Sequence, residues 1–331
     1  MKIDLVYLWV DGSDEKWLAK KNVEYKKIDE RQVPDNGDNG ENRYHNNDEL
    51  LFSLRSVEKF ASWVNHIFIV TDNQIPKWLN TGNPKISIID HTEIMPKDAL
   101  PCFNSTVIEF FLTNIPNLSE HFIYSNDDML FMAKTMPDYF FTKNGTPIVR
   151  VKNKRKIRLK FKDIFIAEEK FKKQWKNGTV YDCIKLNSRK LIYDIIGDYN
   201  ALWEESHNID PYSKSDIIEI TNIPPIKKNL EEMRKNHFRN KHDIHRSMFH
   251  LFGVVKFGYQ TVGNDLLTQI KQMLSFRFRE QPTYTRNIRK KMKHCLRRKL
   301  MCIDDPVDEK IRKSNYDYLM NIFPDKSVFE K

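Results

Sequence analysis

The sequence predicts an α/β protein built on a mostly parallel sheet, with a more helical C-terminal half. Three observations carry this. Short apolar runs, "IDLVYLWV" (3–10), "HIFIVT" (66–71), "ISIID" (86–90) and "HFIYS" (121–125), each end in polar residues. Near-continuous apolar runs suit strands covered on both faces. Segments with helical spacing alternate with them, as in a parallel sheet, and beyond Asp182 that spacing dominates.

In chain order, the first strand stops at "DGSD" (11–14), and "EKWLAKKNVEYKKI" follows as a helix capped by Ser13 or Asp14. "VPDNGDNGENRYH" (33–45) is a polar loop. "NNDELLFSLRSVEKFA" sets Leu50, Leu51, Leu54, Val57 and Phe60 on one helical face. Two short strands come next, then "NSTVIEFFLTNI" (104–115) as a capped helix, then the strand at 121–125. In the second half "RVKNKRKIRLKFKDIF" (150–165) alternates basic and apolar residues, as an exposed edge hairpin does. "WKNGTVYD" (175–182) carries an Asn-Gly turn signal. "TRNIRKKMKHCLRRKL" (285–300) reads as a basic helix with Ile288, Met292, Leu296 and Leu300 in one stripe.

Composition excludes several classes. The 331 residues are 40% hydrophobic and 30% charged, ordinary for a globular chain. No GxGxxG or GxxxxGK[ST] pattern occurs, which argues against a dinucleotide fold and a P-loop. The formal charge of +10, from 55 Lys+Arg against 45 Asp+Glu, favours phosphorylated substrates, polyanions or an anionic membrane surface. Aromatics are not interleaved with the basic run at 285–300, so no nucleic acid is expected. Cys102, Cys183, Cys295 and Cys302 form no CxxC pair and read as reduced thiols. "MKIDLVYLWVDG" does not read as a signal peptide and no apolar run approaches a membrane span, so a cytoplasmic location is expected.

The chemistry concentrates at the strand ends. "FIYSNDDMLF" (122–131) puts Asp127 and Asp128 inside an apolar stretch. Adjacent side chains on a straight strand face opposite ways, so the strand is expected to end and turn there. Two carboxylates at such a turn suit Mg²⁺ or Mn²⁺, which keep coordination positions for phosphate oxygens. "DGSD" offers Asp11, Gly12, Ser13 and Asp14, either as a turn with a helix cap or as a nucleotide cradle at a helix N-terminus. Asn104 or Ser105 caps a helix and Glu109 lies on it. His207 can deprotonate a hydroxyl and Arg239 can clamp a phosphate, though both residue types are usually structural. His237, His242, His245 and His250 match no standard zinc spacing.

Four blocks in order resemble the Stealth family of capsular polysaccharide and lysosomal-enzyme sugar phosphotransferases. They are "IDLVYLWVDGSD" (3–14), the run from "NNDELLFSLRSVEKFASWVNHIFIVTDNQIPKWL" (46–79) through "LPCFNSTVIE" to "HFIYSNDDMLF", "SHNIDPYSK" with "HFRNKHDI", and "MCIDDPVDEK" with "FPDKSVFEK". Leu8 stands where that pattern has threonine, and Asp304 where it has asparagine. The resemblance implies a nucleotide-sugar-transferase-like core, with Rossmann and GT-A character, in one catalytic unit. Its donor-binding α/β half is 1–148, and 149–331 completes the acceptor side. It implies transfer of a sugar 1-phosphate from a UDP-sugar to a polysaccharide hydroxyl, releasing UMP. The implied catalytic residues are Asp127, Asp128, His207, Arg239 and Glu109. Asp11, Gly12, Ser13, Asp14, Asn47, Asp48, Arg55, Asn104 and Ser105 fall to the donor. A divalent cation falls to Asp127 and Asp128, with Asp11, Asp304 and Asp305 as further candidates. The 285–300 stretch is a candidate contact with an anionic membrane or the capsule assembly machinery. An ordinary glycosyltransferase releasing UDP is the alternative.

Overall fold

The computed structural model describes residues 1–28, 44–151, 168–197, 205–263, 273–276, 299–303 and 309–331. Its centre is a five-stranded sheet. β1 (Ile3–Leu8) lies in the middle, parallel to β2 (Ile67–Thr71) on one side and to β4 (His121–Asn126) on the other. β3 (Ile86–Asp90) extends it beyond β2, and β7 (Asp210–Ser213) closes the other edge antiparallel to β4. The order is β3-β2-β1-β4-β7. The chain works outward from β1 and then returns to β4 on its far side. Between β1 and β4 the sheet therefore has a topological switch, and the crevice outside their C-terminal ends is where such sheets bind ligands.

Strand alternation sorts the core into two layers. Val6, Phe68, Val70, Phe122 and Tyr124 face one cluster with Leu186, Met248 and Phe249 from the helices Val180–Ile196 and Ser247–Lys256. Leu5, Tyr7, Ile67, Ile69 and Ile123 face the other, against Leu50, Leu54 and Val57 of α2 (Glu49–Phe60). Burying each such side chain contributes roughly 1.5–3 kcal/mol, enough to hold β1 shut on both faces. Tyr7 brings a hydroxyl into that layer, and it meets Ser53 Oγ at 2.7 Å; Ser53 donates onward to the Met129 carbonyl.

β4 does end and turn at Asp127-Asp128. The next residues, β5 (Met129–Phe131), leave for a second sheet of order β5-β10-β9, with β10 at Leu300–Ile303 and β9 at Met273–Phe276. The second half thus supplies strands as well as helices, including a third pairing of β6 (Ile148–Val151) with β8 (Gln260–Gly263).

Three local expectations need correction. The segment 104–115 is not one helix: α4 (Ser105–Ile108) passes into a 3₁₀ stretch, Glu109–Asn114. Ile115 precedes Pro116, and a residue before proline is pushed out of the α region, which tightens the preceding turn. Arg150 belongs to no hairpin with its immediate neighbours, because β6 pairs in parallel with the distant β8; residues 152–167 lie outside the described residues. Asn177-Gly178 joins two helices, Glu168–Asn177 and Val180–Ile196, because Thr179 caps the second by accepting from the Asp182 amide. Among the described residues, no helix is long and apolar enough to cross a membrane.

Candidate active site

The register Leu8↔Asn126 puts the loops after β1 and β4 at the same level of the switch crevice. After β1, Asp11 accepts from the Ser13 amide at 3.0 Å and the Ser13 hydroxyl at 2.6 Å. Gln74 holds the Asp11 backbone from both sides, at 2.9 Å each. The Gly12 amide donates to the Tyr44 carbonyl at 2.6 Å, and a Cβ there would sit 2.4 Å from that oxygen, so no side chain fits. Asp14 is the cap of α1 (Glu15–Tyr25), accepting from the Trp17 amide at 2.8 Å.

α2 adds its N-terminus to this rim. Asp48 takes a left-handed conformation (φ 60°), which aspartate tolerates better than most residues, and the chain turns into the helix there. Burial and the neighbouring Asp11 raise its carboxyl above the usual range, against a hydrogen bond from Trp78. Buried Glu49 follows, accepting from the Asn47 amide at 2.7 Å and its side chain at 3.0 Å. Asn47 therefore acts as a brace for Glu49.

The β4 turn completes the acidic side. The Asp128 amide donates to Asp127 Oδ1 at 3.1 Å, and the Asp128 carbonyl accepts from Ile303 at 2.9 Å. Asp127 is pushed well above the carboxylate range by burial first, then by Asp128 and Glu49. Carboxylates crowded in this way hold one another's protons on, unless a cation shares the space. Asp128 also meets a group that no sequence spacing announced. The Cys302 thiol donates to Asp128 Oδ2 at 3.2 Å and lies 3.5 Å from His207 Nε2. One ligand atom each from Asp128, His207 and Cys302 lie within 4.8 Å of one another. β7 runs antiparallel to β4 with Tyr124↔Asp210, which carries the preceding His207 up to the Asp127-Asp128 turn.

The donor set tests which ion suits which residues. Asp127, Glu49 and Asp128 offer the oxygens that a hard divalent ion takes. A thiol with an imidazole and a carboxylate suits a softer ion. By donor chemistry the carboxylates suit the expected Mg²⁺ or Mn²⁺, and the Cys302 thiol does not, yet among the described residues the group whose ligand atoms converge is Asp128, His207 and Cys302.

A basic layer lies on the other face of β4. Arg246 reaches Glu109 at 3.3 Å, pairs with Asp210, donates to the Tyr212 hydroxyl at 2.7 Å and lies over the Tyr124 ring. The Tyr124 hydroxyl donates to Glu109 at 3.1 Å. Burial works against the charge on Glu109, and Arg246 and Arg239 work for it. Arg239 donates to the Ser105 hydroxyl at 2.7 Å, so these two predicted residues do meet. Behind them, burial opposes ionisation of Glu205, but Lys185, Arg189 and His245 pull its pKa down to about 2.

Two expected donor residues are engaged elsewhere. Arg55 is buried and makes a two-pronged ion pair with Glu330, at 2.8 and 2.7 Å, and donates to the Phe323 carbonyl; it fastens the C-terminus to α2. Asn104 is fully buried as the α4 cap, and its amide donates to Asp243 and the Phe238 carbonyl. Their side chains satisfy packed backbone and carboxylate groups, which leaves them nothing for a ligand. Asp304, Asp305 and 285–298 lie outside the described residues. The histidines rejected for zinc are apart: His245 lies beside Glu205, His250 at the Pro211 carbonyl, His242 against Trp175 and His237 near Glu24. Sequence reasoning missed Glu49, Arg246 and Cys302. "NNDE" reads as ordinary acid at a helix start, and "HDIHR" drew attention to its histidines. Cys302 stands two residues before Asp304, with Ile303 between, and no spacing in the sequence ties it to Asp128 or His207.

Comparison with known proteins accounts for this rim. Stealth protein conserved region 1 matches residues 1–22 and conserved region 2 matches residues 43–149, which together contain the Asp11 loop, the α2 start and the Asp127-Asp128 turn. A capsular polysaccharide phosphotransferase of Streptococcus pneumoniae, WcwK, is 31% identical over 345 residues, 99% of each chain. The chain belongs to the Stealth family. Other Stealth relatives include the capsular polysaccharide phosphotransferase fcs1 of Haemophilus influenzae, 37% identical over 80% of this chain and 67% of its own. The exopolysaccharide phosphotransferase cps2G of Lactiplantibacillus plantarum is 48% identical over 44% of this chain and 41% of its own. The chain thus spans between two fifths and two thirds of these two relatives. Among solved structures, the galactosyltransferase LgtC aligns over 98% of this Stealth chain and 97% of its own at a TM-score of 0.46 and 11% identity, too distant a likeness to build on.

Proposed function

We propose that this chain transfers a sugar 1-phosphate from a UDP-sugar to a hydroxyl of a growing capsular polysaccharide, with a divalent cation, and releases UMP. Its Stealth membership and its phosphotransferase relatives support phosphotransfer in capsule synthesis. The observation that carries the reading is the Asp127-Asp128 turn at the switch crevice, crowded by Glu49 and met by His207 and Cys302 on its Asp128 side.

In this reading Asp127, Asp128 and Glu49 would hold Mg²⁺ or Mn²⁺, which would supply positive charge against the donor diphosphate. The Asp11 and Asp48 loops frame the nucleotide side. His207 takes the proton of the acceptor hydroxyl, whose oxygen attacks the phosphorus next to the sugar. The bond from that phosphorus to the UMP oxygen breaks, and Arg239 stabilises the charge on the transferring group. The sugar C–O bond is never broken, so anomeric configuration is retained. The chain works in the cytoplasm in this account, with 285–300 as its membrane contact.

The product decides between this and an ordinary glycosyltransferase. Incubation with a panel of UDP-sugars and capsule oligosaccharides is expected to give UMP and a phosphodiester in the product. UDP with a plain glycosidic bond sinks the reading.

A further inference from the structure

Arg150 lies on β6 between Val149 and Val151, which enter one core layer, so its own side chain turns to the opposite face. There its guanidinium stacks 3.3 Å from the centre of the Tyr139 ring, and Lys299 Nζ stands 5.1 Å from the same centre. Arg150 is only 7% exposed, and its Nε and Nη1 groups meet no acceptor among the described residues. The carboxylate that acts on it, Asp210, is already held by Arg246. Other buried arginines differ: Arg55 has Glu330, and Arg246 has Glu109 and Asp210. A buried cation without a counter-charge is costly, and a fold keeps one where a negative partner arrives from outside.

The position says which partner. The Ser206 amide donates to the Arg150 carbonyl at 2.8 Å, and the Asn208 side chain acts on Tyr139. Ser206 and Asn208 flank His207, which reaches the Asp128 side of the crevice. The Arg150–Tyr139 stack is therefore braced by the same short segment that delivers His207.

We propose that Arg150 and Lys299, stacked around Tyr139, form a subsite for a phosphate group of the substrate. That phosphate comes either from the donor diphosphate or from a phosphodiester already present in the acceptor chain, and the inference rests on the function proposed above. Arginine suits it, because its planar fork meets two phosphate oxygens at once.

Titration calorimetry on the full chain with two probes separates the sources: UDP-N-acetylglucosamine, and a phosphodiester-linked saccharide lacking a nucleotide. Arg150→Met is expected to weaken one probe by about tenfold or more, as loss of a charge-assisted contact does. Arg150→Lys should lose less, and the melting temperature of Arg150→Met should hold or rise, because an unpaired buried charge has gone. Weakening confined to the nucleotide sugar assigns the donor; weakening confined to the saccharide assigns the acceptor. Unchanged affinity for both probes, or a fall in melting temperature with affinity intact, overturns the subsite. If both Arg150 variants fail to fold, Lys299→Met carries the same test, with weakening for and unchanged binding against. A wild-type enzyme that releases UDP removes the phosphotransfer reading but leaves this binding result standing.

Discussion

Asp127 follows β4 and Glu205 precedes β7, and burial opposes the charge on both, yet their pKa values move in opposite directions. Glu205 sits among Lys185, Arg189 and His245, and its pKa falls to about 2. Asp127 sits among Asp128 and Glu49 and is driven well above the carboxylate range. The difference lies in what the chain supplies around each. Where the protein provides its own counter-charges, the carboxylate is scaffold. Where it stacks like charges together, the compensation has to come from a ligand, and a divalent cation is the simplest.

The largest test of that contrast is to remove the crowded charges. Asp127→Ala or Asp128→Ala is expected to cut turnover by at least about a thousandfold with the fold intact, by circular dichroism and product assay. EDTA should do the same to the wild type, and Mg²⁺ or Mn²⁺ should restore it. Activity indifferent to both would remove the cation from the account.

Next come the ion pairs read as scaffold. Arg55→Ala should cost about 3–5 kcal/mol in denaturant unfolding, because it strands buried Glu330, while the folded fraction keeps its affinity for the nucleotide sugar. A loss of donor affinity without loss of stability would return Arg55 to the site.

pH sharpens the comparison further, and the two signs oppose. Glu205 is depressed, so its stabilisation is present above the unfolded carboxyl value and is lost as pH falls toward about 2. Asp127 is raised, so the folded state holds a proton that the unfolded state has released. Its contribution to stability therefore declines as pH climbs from the ordinary carboxylate range through its raised value. Thermal melts in EDTA should show Glu205→Gln flattening the acid limb and Asp127→Asn flattening the upper one. Added Mg²⁺ should make Asp127→Asn less stable than the wild type; identical profiles for the two variants would erase the distinction.

The smallest effect is expected at Cys302. Cys302→Ser should leave Mg²⁺-supported turnover within about threefold while weakening capture of Cd²⁺, a soft ion that the Asp128–His207–Cys302 group suits. A loss as large as that of Asp127→Ala would make the thiol part of the working ion site.

Much of this was legible in one dimension. The β1 and β4 strands, the Asp14 and Asn104 caps and the turn at Asp127-Asp128 follow from local rules: apolar runs, capping side chains and charged residues that a strand interior refuses. Arg55 and Asn104 were placed with the donor because they lie in the same motif-rich block as Asp48 and Ser105. Their side chains were spent on Glu330 and Asp243, residues far away along the chain. Glu49 and Arg246 went unnoticed for the same reason, since a lone acid or a lone arginine means nothing until its neighbours are known.

The sequence by itself determined where strands end, and therefore that carboxylates would be presented at the sheet's C-terminal rim. It also determined the family, because the motif blocks are contiguous strings. Tertiary structure alone decided which charges are balanced. Electrostatic energy depends on distance and burial, and pairs such as Asp128 with Cys302 or Arg55 with Glu330 are set by strand order and packing rather than by spacing along the chain.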